Sequence, residues 1–475
     1  MGRGRSQSRG HAGFSPALRC LIRQWRALEP WITAEDVEHQ HSHFPPTPLR
    51  ELMTQRREAV VVTDSFGDWT PITVHLTGEI SARDRTAPYK GSMFAAYPGD
   101  IVFSKIDARS GAIGMLPAEI GKAVVTPEFP VFTADPARLD GEFVKLVLRT
   151  GGFIEALRRK ASGTSGRKRI TPEAFQDLRI PLPPLPEQQA IVAAWRAALD
   201  KAASLEQEAA EAEAKAAEAF EAALGIVPPP PLPDRPVFVA NFKDIERWSH
   251  DGILRSVLHI EDPAPKYAAT PLASVGKVSY GLQKSPANRP TSHARPYLAV
   301  VNVQRWRLEL NKIKMISVPD EDMPKYRLEY GDVLLCEGNS PDLVGRGAIW
   351  RDEIPDCVHQ NHVLRVRLDQ TKALPEFVLS VINSSYGQAY FRSKAKRTTN
   401  LASINSKEVG GFPLPLPTVP EQQDMIDKLF AGQAAAQQKR EDAANARGQA
   451  WADFESAVYA AEDADDAADL IAAAS

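Results

Sequence analysis

Between residues 187 and 224, apolar and small side chains recur at alternating steps of four and three: Ile191, Trp195, Ala198, Ala202, Leu205, Ala209, Ala212, Ala216, Ala219 and Ala223. That rhythm predicts one long helix with a coiled-coil seam, on the order of 55 Å from end to end. Small alanines along the seam let a second helix approach closely. The remaining face is acidic (Glu206, Glu208, Glu211, Glu213, Glu218, Glu221), which points to a protein partner and away from nucleic acid. Gly225 and the prolines at 228–231 end the pattern. A weaker seam (Ile426, Leu429, Ala436, Ala443, Ala450, Phe454) predicts a second helix from Glu421 to about Tyr459, with Gly432 and Gly448 expected to interrupt it.

Both helices start alike. Pro183-Pro184-Leu185-Pro186-Glu187-Gln188-Gln189 returns 234 positions later as Pro417-Thr418-Val419-Pro420-Glu421-Gln422-Gln423. Proline stops an extended segment and suits the first turn of a helix, where Glu and Gln meet the free N–H groups and the positive end of the helix dipole. The same shift of 234 pairs Phe143 with Phe377, Val147 with Val381, Thr164 with Thr398 and Ile170 with Ile404. Thr47-Pro48-Leu49 is echoed by Thr270-Pro271-Leu272, and Gly99-Asp100-Ile101-Val102-Phe103 by Gly331-Asp332-Val333-Leu334-Leu335. Short apolar runs after turn signals read as strands, and Glu142 to Lys160 reads as a helix.

The expected fold class is α+β: two mixed α/β domains alternate with two long coiled-coil helices in an internal repeat. The expected boundaries are an N-terminal extension at 1–45, a first domain at 46–180, a first spacer helix at 181–225 and a Pro-rich linker at 226–240. A second domain follows at 241–412, then a second spacer helix at 413–460 and a frayed tail at 461–475. The extension opens on Met1-Gly-Arg-Gly-Arg-Ser and reads as flexible, or as an arm that touches phosphate.

At 475 residues the chain is too long for one ordinary core. Its 43% hydrophobic and 25% charged residues are ordinary for a globular protein, and the net charge of −3 leaves room for local basic faces. Three scattered cysteines argue against a disulfide framework and for a reducing cytoplasm. No apolar run reaches membrane-spanning length. His39, His41 and His43 alternate, but no cysteine or acidic set completes a metal site, so no metal is expected.

Catalytic signatures are missing. There is no phosphate-binding G-x-x-x-x-G-K-[ST] loop, no dinucleotide fingerprint and no convincing nuclease triad, so the chain reads as non-catalytic. The loops after the strands instead carry polar and basic residues. In the first half these are Lys105, Arg109, Arg167, Lys168 and Arg169. In the second they are Asn302, Arg305, Asn339, Arg346, Asn361, His362, Arg397 and Asn400. Arg reads guanine and Asn reads adenine by paired hydrogen bonds in the major groove, and Lys or Arg neutralises phosphate. Basic loops at corresponding places in duplicated globules favour DNA binding.

On these motifs the chain resembles the specificity subunit of type I restriction-modification systems from about Pro48 to Tyr459. The resemblance rests on Pro-Leu-Pro-Pro-Leu-Pro-Glu-Gln-Gln at 181–189 and its partner at 415–423, on Tyr297–Val303, on Gly331–Gly338 and on Val344-Gly345-Arg346. It implies a DNA-binding protein of phage defence with two target-recognition domains, each reading one half of a bipartite double-stranded site. It also implies that the two helices lie antiparallel in a pseudo-two-fold repeat, fix the spacing and dock two modification (methyltransferase) subunits, with restriction motor-nuclease subunits able to join. Glu187, Gln188, Gln189, Trp195, Glu421, Gln422 and Gln423 are the expected partner-binding residues. This chain would bind no cofactor; S-adenosylmethionine, Mg and ATP would sit on partner subunits. Two other readings stand beside it: a specificity subunit for a fused nuclease-methyltransferase, and a coiled-coil tether whose globules bind protein.

Overall fold

A computed structural model describes residues 42–459 except 63–64, 86–90, 162–167, 228–231, 235–236, 245–252, 255–256, 259–263, 291–292, 341–342 and 398–401, and except the side chains of 244, 287, 339, 396 and 397. The readings made for residues 1–41 of the N-terminal extension, the tail, Arg167 and Asn400 lie outside the described residues. The fold is α+β. It divides into two compact units, one running to Ala203 and resuming at Ala443, the other Ser204–Asp442.

In the first unit, β1 (Met53–Arg56), β2 (Ile101–Phe103), β3 (Ile113–Met115) and β4 (Val131–Ala134) form an antiparallel sheet in the order β1-β4-β2-β3. Strand β2 is buried at every position, as a short continuous apolar run in a sheet interior should be. A tight turn feeds it. Gly99 adopts φ 87°, and the Asp100 carboxylate accepts the Tyr97 N–H at 2.8 Å. Phe103, Phe132 and Phe175 pack with ring centroids 4.7 to 6.0 Å apart. A separate five-stranded sheet, made of Ala59–Val60, Met93–Ala96, Ala123–Val125, Thr70–Val74 and Ile80–Ala82, completes the unit.

The expected single helix over 142–160 is two helices, α1 (Gly141–Val147) and α2 (Gly151–Lys160). Thr150 ends the run: its backbone is extended and its hydroxyl accepts the Phe153 N–H, starting a new helix. Helix α3 (Leu185–Ala223) then runs for 39 residues, about 58 Å at 1.5 Å per residue.

The second unit rebuilds the same frame. Strands β5 (Gly276–Ser279), β6 (Val333–Cys336), β7 (Gly347–Ile349) and β8 (Val363–Leu368) pair antiparallel in the order β5-β8-β6-β7. Gly331 takes φ 88°, and Asp332 accepts the Glu329 N–H at 2.8 Å, as at Gly99-Asp100. Helices α4 (Pro375–Asn383) and α5 (Ser385–Lys394) meet at Ser384, whose hydroxyl caps the second as Thr150 does. What differs is the second layer. Here it is one three-stranded sheet of Lys314–Ser317, Ala294–Leu298 and Val358–His359, and another of Gly338–Asn339, Ala402–Ser403 and Lys396–Arg397.

Helix α6 (Val419–Val458) is the last described helix. Its expected seam is buried: Ile426, Leu429, Ala436, Ala443, Ala450 and Phe454 are each at most 4% exposed. The glycines do not interrupt it. Within the second unit α6 runs opposite to α3, and a Cβ on Gly432 would overlap Ala216 Cβ, so Gly432 is a point of close approach. On α3, Ala202 and Ala209 are buried as expected, whereas Ala219 and Ala223 are exposed and Phe220 and Leu224 fill the core instead. Nor does the acidic face of α3 wait wholly for another protein. Glu208 pairs with Lys439, Glu213 with Arg440, and the Glu221 carboxylate accepts the Ser385 N–H at 2.6 Å.

One buried group in the second unit is acid-sensitive. His359 is fully buried; its Nδ1 lies 2.7 Å from the Val363 carbonyl and its Nε2 has no partner. A carbonyl only accepts, so the ring is neutral with its proton on Nδ1. Burial, with Arg365 nearby, pushes its pKa down to about 4. A base whose folded pKa is depressed stabilises the fold above its unfolded pKa, and that contribution fades as pH falls from about 6.5 toward about 4. Urea midpoints measured at pH 7 and pH 5 should therefore differ less in His359→Asn than in the wild type. Equal differences would show that this ring carries none of the acid lability.

Candidate nucleic-acid interface

In the first unit the main chain gathers the basic residues. The Lys105 carbonyl accepts the Ile170 N–H at 2.8 Å, and the Lys105 N–H donates to the Glu128 carbonyl at 3.0 Å. Residues 168–170 are thereby held beside the end of β2. Lys168 and Arg169 are exposed, and Arg169 reaches Glu128 at 3.4 Å. Arg109 lies in the turn Ala108–Ser110, whose carbonyl at 109 accepts Arg158 Nε at 3.1 Å. Lys105, Arg57 and Phe129 line part of a shallow groove of about 210 Å³. Cations beside an aromatic wall suit a phosphate backbone and a base face.

The second unit sorts its candidates differently. Asn302 is 3% exposed, and its amide is spent on its own turn: Oδ1 accepts the Ala299 N–H, and Nδ2 donates to the Glu309 and Lys312 carbonyls. Its expected role in reading bases is corrected to that of a structural residue, because every group that could read adenine already has a partner. Arg346 is also buried, at 8% exposure, with Nη2 donating to the Val300 carbonyl at 3.3 Å. Its guanidinium props the loop from below and does not lie on the surface.

Asn302 nonetheless positions something. The loop it braces leads into a hairpin in which Val303 bridges Leu308 and the Gln304 N–H donates to the Arg307 carbonyl. Arg305 and Trp306 form the tip. Trp306 holds φ 70°, a left-handed conformation rare for a bulky residue, and its N–H donates to the Gly347 carbonyl at 2.9 Å. The residue as a whole remains 36% exposed. Half-buried Arg305 donates to the Asn383 carbonyl at 3.3 Å; burial first, then the charges of Arg392 and Arg346, lower its pKa. Arg305 and the exposed Trp306, neighbours at the hairpin tip, offer a cation to negative charge and a flat ring to a base. The expected set includes Arg305 but not Trp306, although Arg305-Trp306-Arg307 is the available signal.

The other residues are dispersed. His362 is exposed and pairs with Glu337 at 2.6 Å, and half-buried Asn361 is tied through its N–H to the Leu282 carbonyl. Asn339 and Arg397 stand on strands that both pair with Ala402–Ser403.

Of the expected partner-binding residues, Glu187, Gln189, Glu421 and Gln423 are exposed. Glu421 accepts the Thr418 N–H and hydroxyl at 2.8 and 2.7 Å, half of a capping box, and these bonds hold its carboxyl below the usual range. Trp195 is half-buried against its own unit's core with Trp451 and Phe454. Gln188 and Gln422 are wholly buried within the chain, which removes both from any partner surface. Among the described residues no group of His, Cys, Asp and Glu is arranged to hold a metal, and no helix is long and apolar enough to cross a membrane.

Residues 99–214 match the family model of the type I restriction modification DNA specificity domain. The chain is 24% identical over 270 residues to the EcoKI specificity subunit of Escherichia coli K12, covering 55% of this chain and 53% of that one. It is 27% identical over 137 residues to the putative MjaX specificity subunit of Methanocaldococcus jannaschii, covering 29% of this chain and 32% of the relative. A 28% match over 122 residues to the StySPI specificity subunit of Salmonella potsdam covers 26% of that protein, so the chain spans from a quarter to about half the length of these relatives. A solved chain of a type I R-M system, described for its complex assembly and conformational transition, shares the fold with a TM-score of 0.55. Their identity is 17%, over 87% of this chain and 97% of that one. The family model and the curated relatives bear out the resemblance read from the repeated motifs.

Proposed function

We propose that this chain, a relative of type I restriction-modification specificity subunits, is the DNA sequence-specificity subunit of such a complex. It carries no catalysis of its own. The domain at 46–180 reads one half of a bipartite site and the domain at 241–412 reads the other. The observation that supports this most is the recurrence of one frame with two different second layers. Sheets in the orders β1-β4-β2-β3 and β5-β8-β6-β7 carry matching turns and helix caps, while the surrounding sheets differ. A duplicated scaffold with divergent outer elements suits two readers of unlike sequences.

Helices α3 and α6 act as a coiled-coil ruler. A hydrogen-bonded helix pair holds a distance that a flexible linker would not. The exposed helix starts at Glu187, Gln189, Glu421 and Gln423 are where two modification subunits dock, bringing the S-adenosylmethionine chemistry. Restriction motor-nuclease subunits with Mg and ATP join that assembly in the cytoplasm.

The experiment is to co-express the chain with a modification subunit and map methylated adenines across host DNA. Two short specified blocks around an unspecified spacer are expected; one continuous motif would leave a single reader. In the same assay Trp306→Ala should weaken the second block by about tenfold in affinity, the low end of a lost stacking contact. The first block should be unaffected. Equal loss at both blocks would remove Trp306 from the interface.

A further inference from the structure

The two buried glutamines have a role beyond starting a helix. Gln188 lies in the first turn of α3 with no exposed surface. Its Nε2 donates to the Arg138 and Pro183 carbonyls at 2.8 Å each, and its Oε1 accepts the Asp140 N–H at 2.8 Å. Asp140 caps α1, so this one side chain joins the start of the domain's first helix, the loop before α3 and α3 itself. Gln422 repeats the arrangement in the other unit. Its Nε2 donates to the Lys372 and Pro417 carbonyls at 2.9 Å, and its Oε1 accepts the Leu374 N–H at 2.9 Å, where Leu374 precedes α4. Every partner is displaced by the same 234 positions.

Each amide uses both donors and its acceptor, so the contact fixes direction as well as distance. Apolar packing alone would let the domain tilt on its helix; three directional bonds from a buried side chain oppose that tilt. The neighbours Glu187, Gln189, Glu421 and Gln423 are exposed, so within each Glu-Gln-Gln triplet only the central glutamine is turned inward.

We propose that Gln188 and Gln422 are positioning residues that set the angle between each DNA-reading domain and its long helix, and so the spacing accepted between the two half-sites. This rests on the specificity-subunit reading. A tilt that moves a domain's contact surface by about 3.4 Å, one base-pair step, is enough to admit a neighbouring spacer length.

The test is the methylation map of the complex assembled with Gln188→Ala, and separately with Gln422→Ala. Both specified blocks should persist with their bases unchanged, while spacers one base pair shorter or longer become methylated as well. Asp200→Ala and Lys201→Ala, exposed on α3 and outside the docking residues, serve as controls and should keep the wild-type spacing. A purely structural role would lower methylation at every site without changing spacing, and that outcome overturns the proposal. Should an alanine variant fail to assemble, Gln188→Asn keeps the amide but shortens its reach. A single wild-type spacing in that variant overturns the proposal, as does failure of all the glutamine variants to assemble. A continuous motif in the wild type would instead sink the specificity-subunit reading itself.

Discussion

Replacing Arg367 with methionine should cost about 3–5 kcal/mol of folding stability, the range for stripping a buried charge of its partner. Asp332 is 1% exposed, and Arg367 grips it with Nε at 2.8 Å from one carboxylate oxygen and Nη2 at 2.7 Å from the other. Without the guanidinium, the Glu329 N–H is the one donor to Asp332 left in place among the described bonds. The first unit offers an internal comparison. Asp100 is held by Arg56 at 2.8 and 3.1 Å, but it also accepts the Thr133 hydroxyl and the Tyr97 N–H, both at 2.8 Å. Arg56→Met should therefore be the milder change, by about 1 kcal/mol for the extra retained hydrogen bond. Adding Asp332→Asn to Arg367→Met should recover most of the loss, since a neutral amide still accepts the Glu329 N–H. Denaturant titration of the three variants decides it; a loss below 1 kcal/mol for Arg367→Met would mean that water reaches Asp332.

Gly432→Leu should lower stability by roughly 3 kcal/mol, the upper end for overpacking a filled interface. The first added carbon already overlaps Ala216 Cβ on the facing helix. Gly448, in the same helix, has nothing within 4 Å of where a Cβ would stand. There the intrinsic preference for alanine over glycine acts alone, and Gly448→Ala should gain about 1 kcal/mol. The opposite signs separate contact from propensity. Gly432→Ala should be destabilising despite its better propensity, and Ala216→Gly should rescue it by restoring the space. Stabilisation by Gly432→Ala would show that the helices are not in close contact at that level. Thermal melts followed by circular dichroism report all four variants.

These cases show what a linear sequence reveals. The long helices, the paired motifs and the central strands were legible because their signals are local and periodic: a 4-3 seam, proline before Glu-Gln, and Gly-Asp before an apolar run. Position 432 was misread for the same reason. Glycine weakens a helix taken alone, and only the arrival of Ala216 from a distant segment turns it into a fitted contact. The interface candidates suffered most. Asn302 has the chemistry of a base reader, yet its amide is taken up by one backbone N–H and two carbonyls up to 10 residues away. Trp306 carries no polar label, and its exposure follows from a backbone angle that residue type does not encode. Gln188 and Gln422 were found by motif but assigned outward, because burial is decided by residues some 50 positions upstream.

The left-handed tryptophan has a consequence for how this protein would respond to selection. A bulky residue in that conformation costs on the order of 1–3 kcal/mol. Asp356 and Asp352 also hold positive φ, but short polar side chains tolerate it. A laboratory library screened for heat resistance in the absence of DNA would thus enrich glycine or asparagine at 306 early, and the winners would be poorer readers. A library screened for protection of a host genome would keep the tryptophan and find its stability elsewhere, with Gly448 among the first sites to change.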